Sequence, residues 1–566
     1  SLNRDLPFDV RTEWQLAGDL IPGASDEQRL ATGFLRNHMI NGEGGRIPEE
    51  NRVDYVMDMT ETTGTVWLAA TLNCCRCHDH KFDPISRRDY YRWFAFFDRT
   101  PVDGSGGNPR TPPVLSVPSD EQRRDLERLE RELADEVAAL EAFEPAETPQ
   151  EEGAAPIVPV AARNQDQWRA LLDDPSTTEE QAALIRQRIA RLDARQALRD
   201  AVPVVMVMED VAQPRTTYML DKGLYTARDE AVEAGVPETF GPWNETLSPD
   251  RRGLAHWLLD NARPVTARVA ANRIWQELFG IGLVKTSEDF GSQGEPPLNA
   301  ALLTGLAEEF VASDWSAKGL IRKVVLSSGY RASSIRSDSA ADMDPANRLL
   351  TRGARYRLAS WMIRDQALAV SGLLVDRIGG APVHPYQPDG VWQEATFGAR
   401  GYPQSHGADL HRRSLYTFWR RIVAPTMFFD TSSRQTCSVA TARTNTPLHA
   451  LATLNDVTYI EAARVLADEE LLIAVESDRE DARLLEAIFR RVLRRPPTAD
   501  ETAVLIEAFR RHRGRFETAR DEAQGLVSYG ETPSPPLAAE LPVERRAAAA
   551  LVALTLLNLD ETISKE

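Results

Sequence analysis

The chain has 566 residues, room for two to four domains, and its 42% hydrophobic and 27% charged content suits a globular protein. A formal charge of −19 argues against a general affinity for nucleic acid or anionic membranes. No run of about 18 apolar residues occurs, so no bilayer-spanning helix is expected, and four cysteines do not make a disulfide scaffold.

The chain opens "SLNRDLPFD", without methionine or signal peptide, so either a leader has been removed or the sequence starts inside a longer protein. Residues 1–118 form a first domain rich in aromatics. Trp14, Ala17 and Leu20 fall at helical spacing. So do Val56, Met59, Thr63, Val66, Trp67 and Ala70, and that second pattern predicts a helix running straight into Cys74. Ser86 and Asp89 predict a capping box for a helix that buries Tyr90, Phe94 and Phe97.

Residues 119–200 read differently. Leu126, Leu129, Leu133, Val137 and Leu140 repeat as a heptad seam, "EPAETPQEEGAAPIVPV" interrupts it, and Ile185, Ile189 and Leu192 resume a helical stripe. An inserted antiparallel coiled-coil hairpin is the simplest reading. Residues 201–247 hold two strand candidates, "VPVVMVMED" and "RTTYML", and form a β-containing connector. From 248 to 566 helical patterns dominate. Ala267, Ala270, Ala271, Ile274, Trp275 and Leu278 make a stripe stopped by Gly280 and Gly282. Thr446–Pro447 reads as a helix start, Thr498 with Glu501 as a second capping box, and "AAAALVALTLLNL" as a core helix. The fold class is therefore mainly α: two helical domains, a small β segment and the inserted hairpin.

The chemistry concentrates in "TLNCCRCHDHKFDPISRRDYY", residues 71–91. Cys74, Cys77 and His78 spell C-x-x-C-H, the attachment signature of c-type haem. Two thiols three residues apart can reach both vinyl groups on one porphyrin edge, and the next residue supplies the proximal nitrogen. His38, in "RNHMINGEGGRIPEE", is the candidate sixth ligand, ahead of Met39, Met57 and Met59. Rival readings stay open: a C-x-x-C redox pair, half of a zinc site, or a divalent-metal site of His78, His80 and Asp83 if the chain there is extended.

Long stretches resemble a known family. "LNRDLPFDVRTEWQLAGDLIP", "NHMINGEGGRIPEENRVDYV" and "TTGTVWLAATLNCCRCHDHKFDPIS" are similar to the planctomycete cytochrome-type domain of unknown function. "LAHWLLDNARPVTARVAANRIWQELFGIGLVKTSEDFGSQGEPP", "YQPDGVWQEATFG" and "TNTPLHALATLNDVTYIEAARVLA" resemble its usual partner, the planctomycete-specific C-terminal domain. The resemblance implies a periplasmic or secreted protein, often with an upstream cytochrome domain, so this sequence is expected to be truncated at its N-terminus. It also implies a link to polysaccharide breakdown. The family's C-x-x-C-H falls on Cys74, Cys77 and His78, and Cys75 is an extra thiol. If Cys74 and Cys77 hold haem, Cys75 becomes the expected neighbour and disulfide candidate for Cys437.

Three functions follow as expectations. The leading one is an exported haem c protein in electron transfer or oxidative chemistry, with a redox partner or upstream cytochrome domain. The second is a metal-dependent or disulfide-stabilised glycan-processing hydrolase or lyase, and the third a non-catalytic scaffold. For a carbohydrate ligand the candidates are His384, Tyr386, Trp392 and Glu394 for stacking or acid–base work, with Arg434 and Arg443 as an anion clamp. Asp289 and Glu295 are a further carboxylate pair, equally explained by caps and turns.

Overall fold

The computed structural model describes residues 1–42, 44–105, 111–143, 158–336, 338–420, 422–433, 435–476 and 481–565. The chain divides into two compact units, Ser1–Gly107 with Met208–Glu566, and Asn108–Val207. It is mainly α-helical. Among the described residues the strands form only three two-stranded antiparallel sheets.

The larger unit begins with α1, Phe8–Ala17, which buries Thr12, Leu16 and Ala17. Leu20 is not on this helix but in the 3-10 turn that follows. Helix α2, Pro48–Thr63, opens with proline in its first turn and Glu49 and Glu50 beside the positive end of the dipole. Val53, Val56, Met57 and Met59 make its buried face. The Trp67 indole N–H donates to Thr12 Oγ1 at 3.0 Å, fastening the end of this segment to α1. Helix α3, Arg87–Phe94, carries the Ser86–Asp89 capping box and buries Tyr90, Tyr91, Trp93 and Phe94.

The smaller unit is built on a seam. Strand β1, Val114–Ser116, leads into α4, Asp120–Glu141; a short α5, Gln165–Leu172, precedes α6, Glu179–Ala201, and β2, Val204–Met206. Helices α4 and α6 run antiparallel: Gln122 bonds the carbonyl of Ala201, and Arg188 bonds that of Leu133. Leu140, Val160, Trp168 and Ile185 form the unit's own apolar core, with Val137, Ile189 and Leu192 against it. Strands β1 and β2 pair Val114 with Met206, so the unit's two ends lie side by side.

The larger unit resumes with β3, Thr217–Leu220, and β4, Arg228–Val232, an antiparallel pair. Helix α7, Arg251–Leu259, is capped by Asp250 and sits in the first core; Trp257 meets Trp93 edge-on at 5.7 Å. Helix α8, Arg263–Phe279, ends at Gly280 with φ 80°, where an L side chain would be strained. Helix α9, Ala300–Ala312, packs on α8 to form a second core with Trp275, Phe279 and Phe310. A third core gathers α10 (Ser360–Val370), α11 (Val457–Glu476), α12 (Asp481–Leu493), α13 (Ala499–Thr518) and α14 (Val543–Leu557). Ala547 to Ala550 are at most 3% exposed, so the alanine-rich run is an interior helix. Inside this core the Asp468 carboxylate, 1% exposed, accepts from Nε and Nη2 of Arg546 at 2.9 and 2.8 Å, the compensation a buried charge requires.

Candidate functional site

The cysteines lie at the end of a broken helix rather than on a continuous one. Beyond α2 the backbone widens into a π turn, Gly64–Leu68, and stops at Ala69, whose φ of 47° is left-handed. A Cβ on Gly64 would stand 2.5 Å from Leu72 Cδ1, so the close return of the chain needs glycine there. The cysteines then occupy a separate 3-10 turn, Asn73–Arg76. The uninterrupted helix expected to reach Cys74 is thus corrected: the periodicity continues through the π turn, and the backbone reversal at Ala69 ends it. Irregularities of this kind are held at a cost and concentrate at functional sites.

The C-terminal segment grips this region. Arg273 on α8 donates to the carbonyls of Thr65 and Val66, and the Phe290 N–H donates to the carbonyl of Ala69 at 2.8 Å. The Ser292 N–H donates to Asp83 Oδ1 at 2.7 Å, and Gly291 lets that carboxylate approach, since a Cβ there would lie 2.3 Å from Oδ2.

The turn separates its thiols. Cys75 is fully buried, and its Sγ donates to the carbonyl of Ile85 at 3.6 Å; burial pushes this thiol up to about 12. Cys74 and Cys77 are exposed, and all four cysteines are free. His78 is exposed, with Nδ1 2.7 Å from the carbonyl of Asp79. A carbonyl only accepts, so Nδ1 carries the proton, and in the neutral ring Nε2 keeps its lone pair. His80 is engaged at both nitrogens: Nδ1 accepts from the Asp83 N–H at 2.9 Å, and Nε2 lies 3.4 Å from Thr71 Oγ1. His80 Nδ1 also lies 3.3 Å from Asp83 Oδ2, but His78 does not join this pair, because the chain turns here instead of extending. Among the described residues no three His, Cys, Asp or Glu groups are arranged to hold a metal ion.

Beside the turn lies an open cleft of ≈ 450 Å³. One face of α2 supplies Asn51, Asp54, Tyr55, Asp58 and Thr62; His38, Arg76, Glu288 and Cys437 stand around it. Arg76, the cation of this wall, is taken by Glu61, whose Oε1 also accepts from the Tyr90 hydroxyl at 3.0 Å. Burial, and then Glu61, raise the Asp58 carboxyl to about 6; burial also raises Asp54. His38 is 6% exposed and stacks on Tyr55 at 4.2 Å. Burial, reinforced by Arg36, lowers its imidazole to about 4. Its Nδ1 faces the carbonyl of Met39 at 3.4 Å, and its Nε2 is buried without a hydrogen-bond partner among the described residues. His38 therefore belongs to the cleft wall, whereas Cys74, Cys77 and His78 do not line that cleft.

Cys437 lines the cleft with Asn73 and Arg76, which flank Cys74 and Cys75. It forms no disulfide with Cys75, whose sulfur faces the interior. In the C-terminal segment, Trp392, Tyr402, Phe418 and His384 pack on one another at 4.6 to 5.9 Å. The Tyr386 hydroxyl accepts from the Glu531 N–H, and Trp392 is 4% exposed. These rings are spent on mutual packing; Glu394 alone of the four candidates is exposed. Arg443 lies over the Tyr356 ring at 4.5 Å, Arg434 lies outside the described residues, and Glu295 pairs with Lys285. Sequence reasoning missed Asp54, Asp58 and Glu288. The i, i+4 spacing of the two aspartates was the available signal.

The fold and site define a helical protein with an exposed C-x-x-C-H turn, clamped by its C-terminal segment and flanked by an acidic cleft. Residues 1–102 match the family profile described as PSCyt2, protein of unknown function (DUF1549), and residues 250–509 match PSD1, protein of unknown function (DUF1553). The chain belongs to the planctomycete family that pairs these two domains. No curated protein and no solved structure matches it.

Proposed function

We propose that the protein is an exported c-type haem protein serving electron transfer or oxidative chemistry connected with polysaccharide breakdown. The observation that carries this reading is the division of labour in the cysteine turn. Cys74 and Cys77 are exposed while Cys75 is sealed inside, so the pair at C-x-x-C spacing is the one available for thioether formation. His78 has Nδ1 tied to a carbonyl, which orients the ring and leaves Nε2 as the donor atom toward iron. These residues fit the group: Cys74 and Cys77 would hold it, His78 would ligate it, and it would supply one-electron chemistry. Leu224, 54% exposed, and Phe82, 49% exposed, offer apolar surface near the turn. Gly223, just before Leu224, sits against Arg76, where a Cβ would lie 3.6 Å from Arg76 Cβ.

The test is export from a host with cytochrome c maturation machinery, followed by a pyridine haemochrome spectrum of the denatured protein. Covalent haem is expected in the wild type and lost in Cys74→Ala and Cys77→Ala, while Cys75→Ala keeps it. Well-folded wild-type protein that leaves such a host without covalent haem would overturn the reading.

A further inference from the structure

The cleft beside the cysteine turn has its own chemistry, and the haem reading does not use it. Its lining is rich in acceptors and short of donors with charge. Asp54 and Asp58 stand one helical turn apart on α2, and Glu288 faces the same space. Arg76 is spent on Glu61. His38 is 6% exposed, and its Nε2, without a partner among the described residues, adds a further acceptor. That Nε2 accepts rather than donates follows from two facts: Nδ1 faces a carbonyl and so carries the proton, and burial holds the ring neutral. A buried imidazole nitrogen without a partner is costly, and so is a half-buried carboxylate without a counter-charge. One kind of ligand relieves both costs: a compact group that brings several N–H donors and a positive charge.

We propose that this cleft binds a small organic ammonium ion, whose N–H groups are accepted by Asp54, Asp58 and His38 Nε2. The ordering of neighbours around Asp58 supports this. Asp54 and Glu61 approach it from its own helix, Arg76 from the cysteine turn, Cys437 from the 435–438 loop, and His38 and Glu288 from the remaining walls. Arg76 is shared with Glu61 and offsets Asp58 only in part, and Arg273 lies toward Cys437 and Glu288, so among the described residues no guanidinium is given to Asp58 alone. A second depression of ≈ 410 Å³, lined by Phe34, His38, Asp58, Met59 and Cys437, continues the cleft past Asp58. Its lining mixes Phe34, Leu35 and Met59 with Asn37, Thr62 and Gln435, so it can take a short chain that carries further N–H groups beside the acidic seat.

Binding is linked to protons. The cation binds the ionised carboxylate, so affinity rises as pH passes upward through the Asp58 value of about 6. A carboxyl of that strength is roughly nine-tenths protonated at about pH 5 and almost fully ionised at about pH 7.5, which sets the expected change near tenfold.

The experiment is calorimetric titration of the full chain with spermidine at those two pH values. The net charge of −19 draws any polyamine weakly to the whole surface, so the informative quantity is the difference between wild type and variant. The wild type should bind about tenfold more tightly at the higher pH, and Asp58→Asn should lose both that gain and the pH step. His38→Ala should weaken binding while keeping the pH step. If Asp58→Asn does not fold, Asp54→Asn, at an exposed position, should reproduce the loss of affinity. Affinity that is unchanged in these variants, or independent of pH, overturns the proposal. So does a cleft that ignores spermidine and takes a neutral oligosaccharide or calcium in a manner abolished by Asp58→Asn.

Discussion

Replacing Arg251 with methionine should break the joint between the two family segments. Arg251 is fully buried at the start of α7. Its Nη1 donates to the carbonyl of Leu16 at 2.7 Å and to Asp19 Oδ1 at 2.8 Å. Its Nη2 donates to Asp19 Oδ2 at 2.6 Å and Asp210 Oδ1 at 2.8 Å, and Nε reaches Asp210 Oδ1 at 3.1 Å. One guanidinium thus ties the end of α1, the connector and the C-terminal segment. Methionine fills similar space and leaves two carboxylates, 9% and 10% exposed, without this partner. Removing one member of a buried ion pair costs about 3–5 kcal/mol, because the remaining charge stays desolvated. Asp210 keeps Arg99 at 3.1 Å, which places the expected loss toward the lower end, about 3 kcal/mol. Urea unfolding followed by tryptophan fluorescence measures it, since Trp67, Trp93 and Trp257 sit in this core. Adding Asp19→Asn should restore part of the loss, because it removes one of the two orphaned charges. A loss below about 1 kcal/mol, or additive behaviour of the two substitutions, would show that the cluster does not hold the segments together.

Three further outcomes are expected. Deleting residues 120–200 and joining the ends with a short linker should leave the larger unit folded, because β1 and β2 already place those ends together; loss of the soluble product's main melting transition would refute this. Brief alkylation of the folded protein made in a host without haem-attachment machinery should label Cys74, Cys77 and Cys437 and spare Cys75, which is fully buried and carries a thiol pushed to about 12; peptide mapping reads the result. Burial alone would raise Glu461, but His411 at 3.0 Å and the Thr532 N–H outweigh it and hold the carboxyl at about 2. Its stabilising contribution is therefore full above the unfolded value of about 4.5 and lost as pH falls from there toward 2, so Glu461→Gln should flatten the acid limb of the stability profile.

The helical elements were legible where local signals sufficed. The capping boxes at Ser86 and Thr498 appear with both reciprocal hydrogen bonds, and Gly280 ends α8 at positive φ. Each of these signals acts within four residues. Trp14, Ala17 and Leu20 misled in detail, since an apolar stripe carries through a 3-10 turn as readily as through an α-helix. The same weakness explains the break before Cys74. Hydrophobic period reports which side is buried, and Trp67, Leu68 and Ala70 are indeed buried. It does not report the backbone reversal at Ala69. That reversal is fixed by Arg273 and Phe290, some two hundred residues further along the chain.

The candidate site was legible in its covalent chemistry and opaque in its shape. C-x-x-C-H names residues whose spacing alone carries the argument, so Cys74, Cys77 and His78 could be singled out without a fold. Asp54 and Asp58 could not. On an amphipathic helix, polar residues at i and i+4 opposite an apolar stripe are the ordinary signature of a solvated face, and nothing local separates that face from the wall of a cleft. The separation comes from the 435–438 loop and Glu288, which close the space opposite α2. Titration is the physical difference between the two cases. A solvated aspartate keeps its ordinary acidity, whereas burial opposite that loop lifts Asp58 to about 6. The same closure buries His38, singled out as an iron ligand by residue type, in the wall of the cleft. Its low basicity there follows from that burial and from Arg36 near it, and Tyr55 stacks beneath the ring; neither contact is encoded in the spacing of histidines and cysteines.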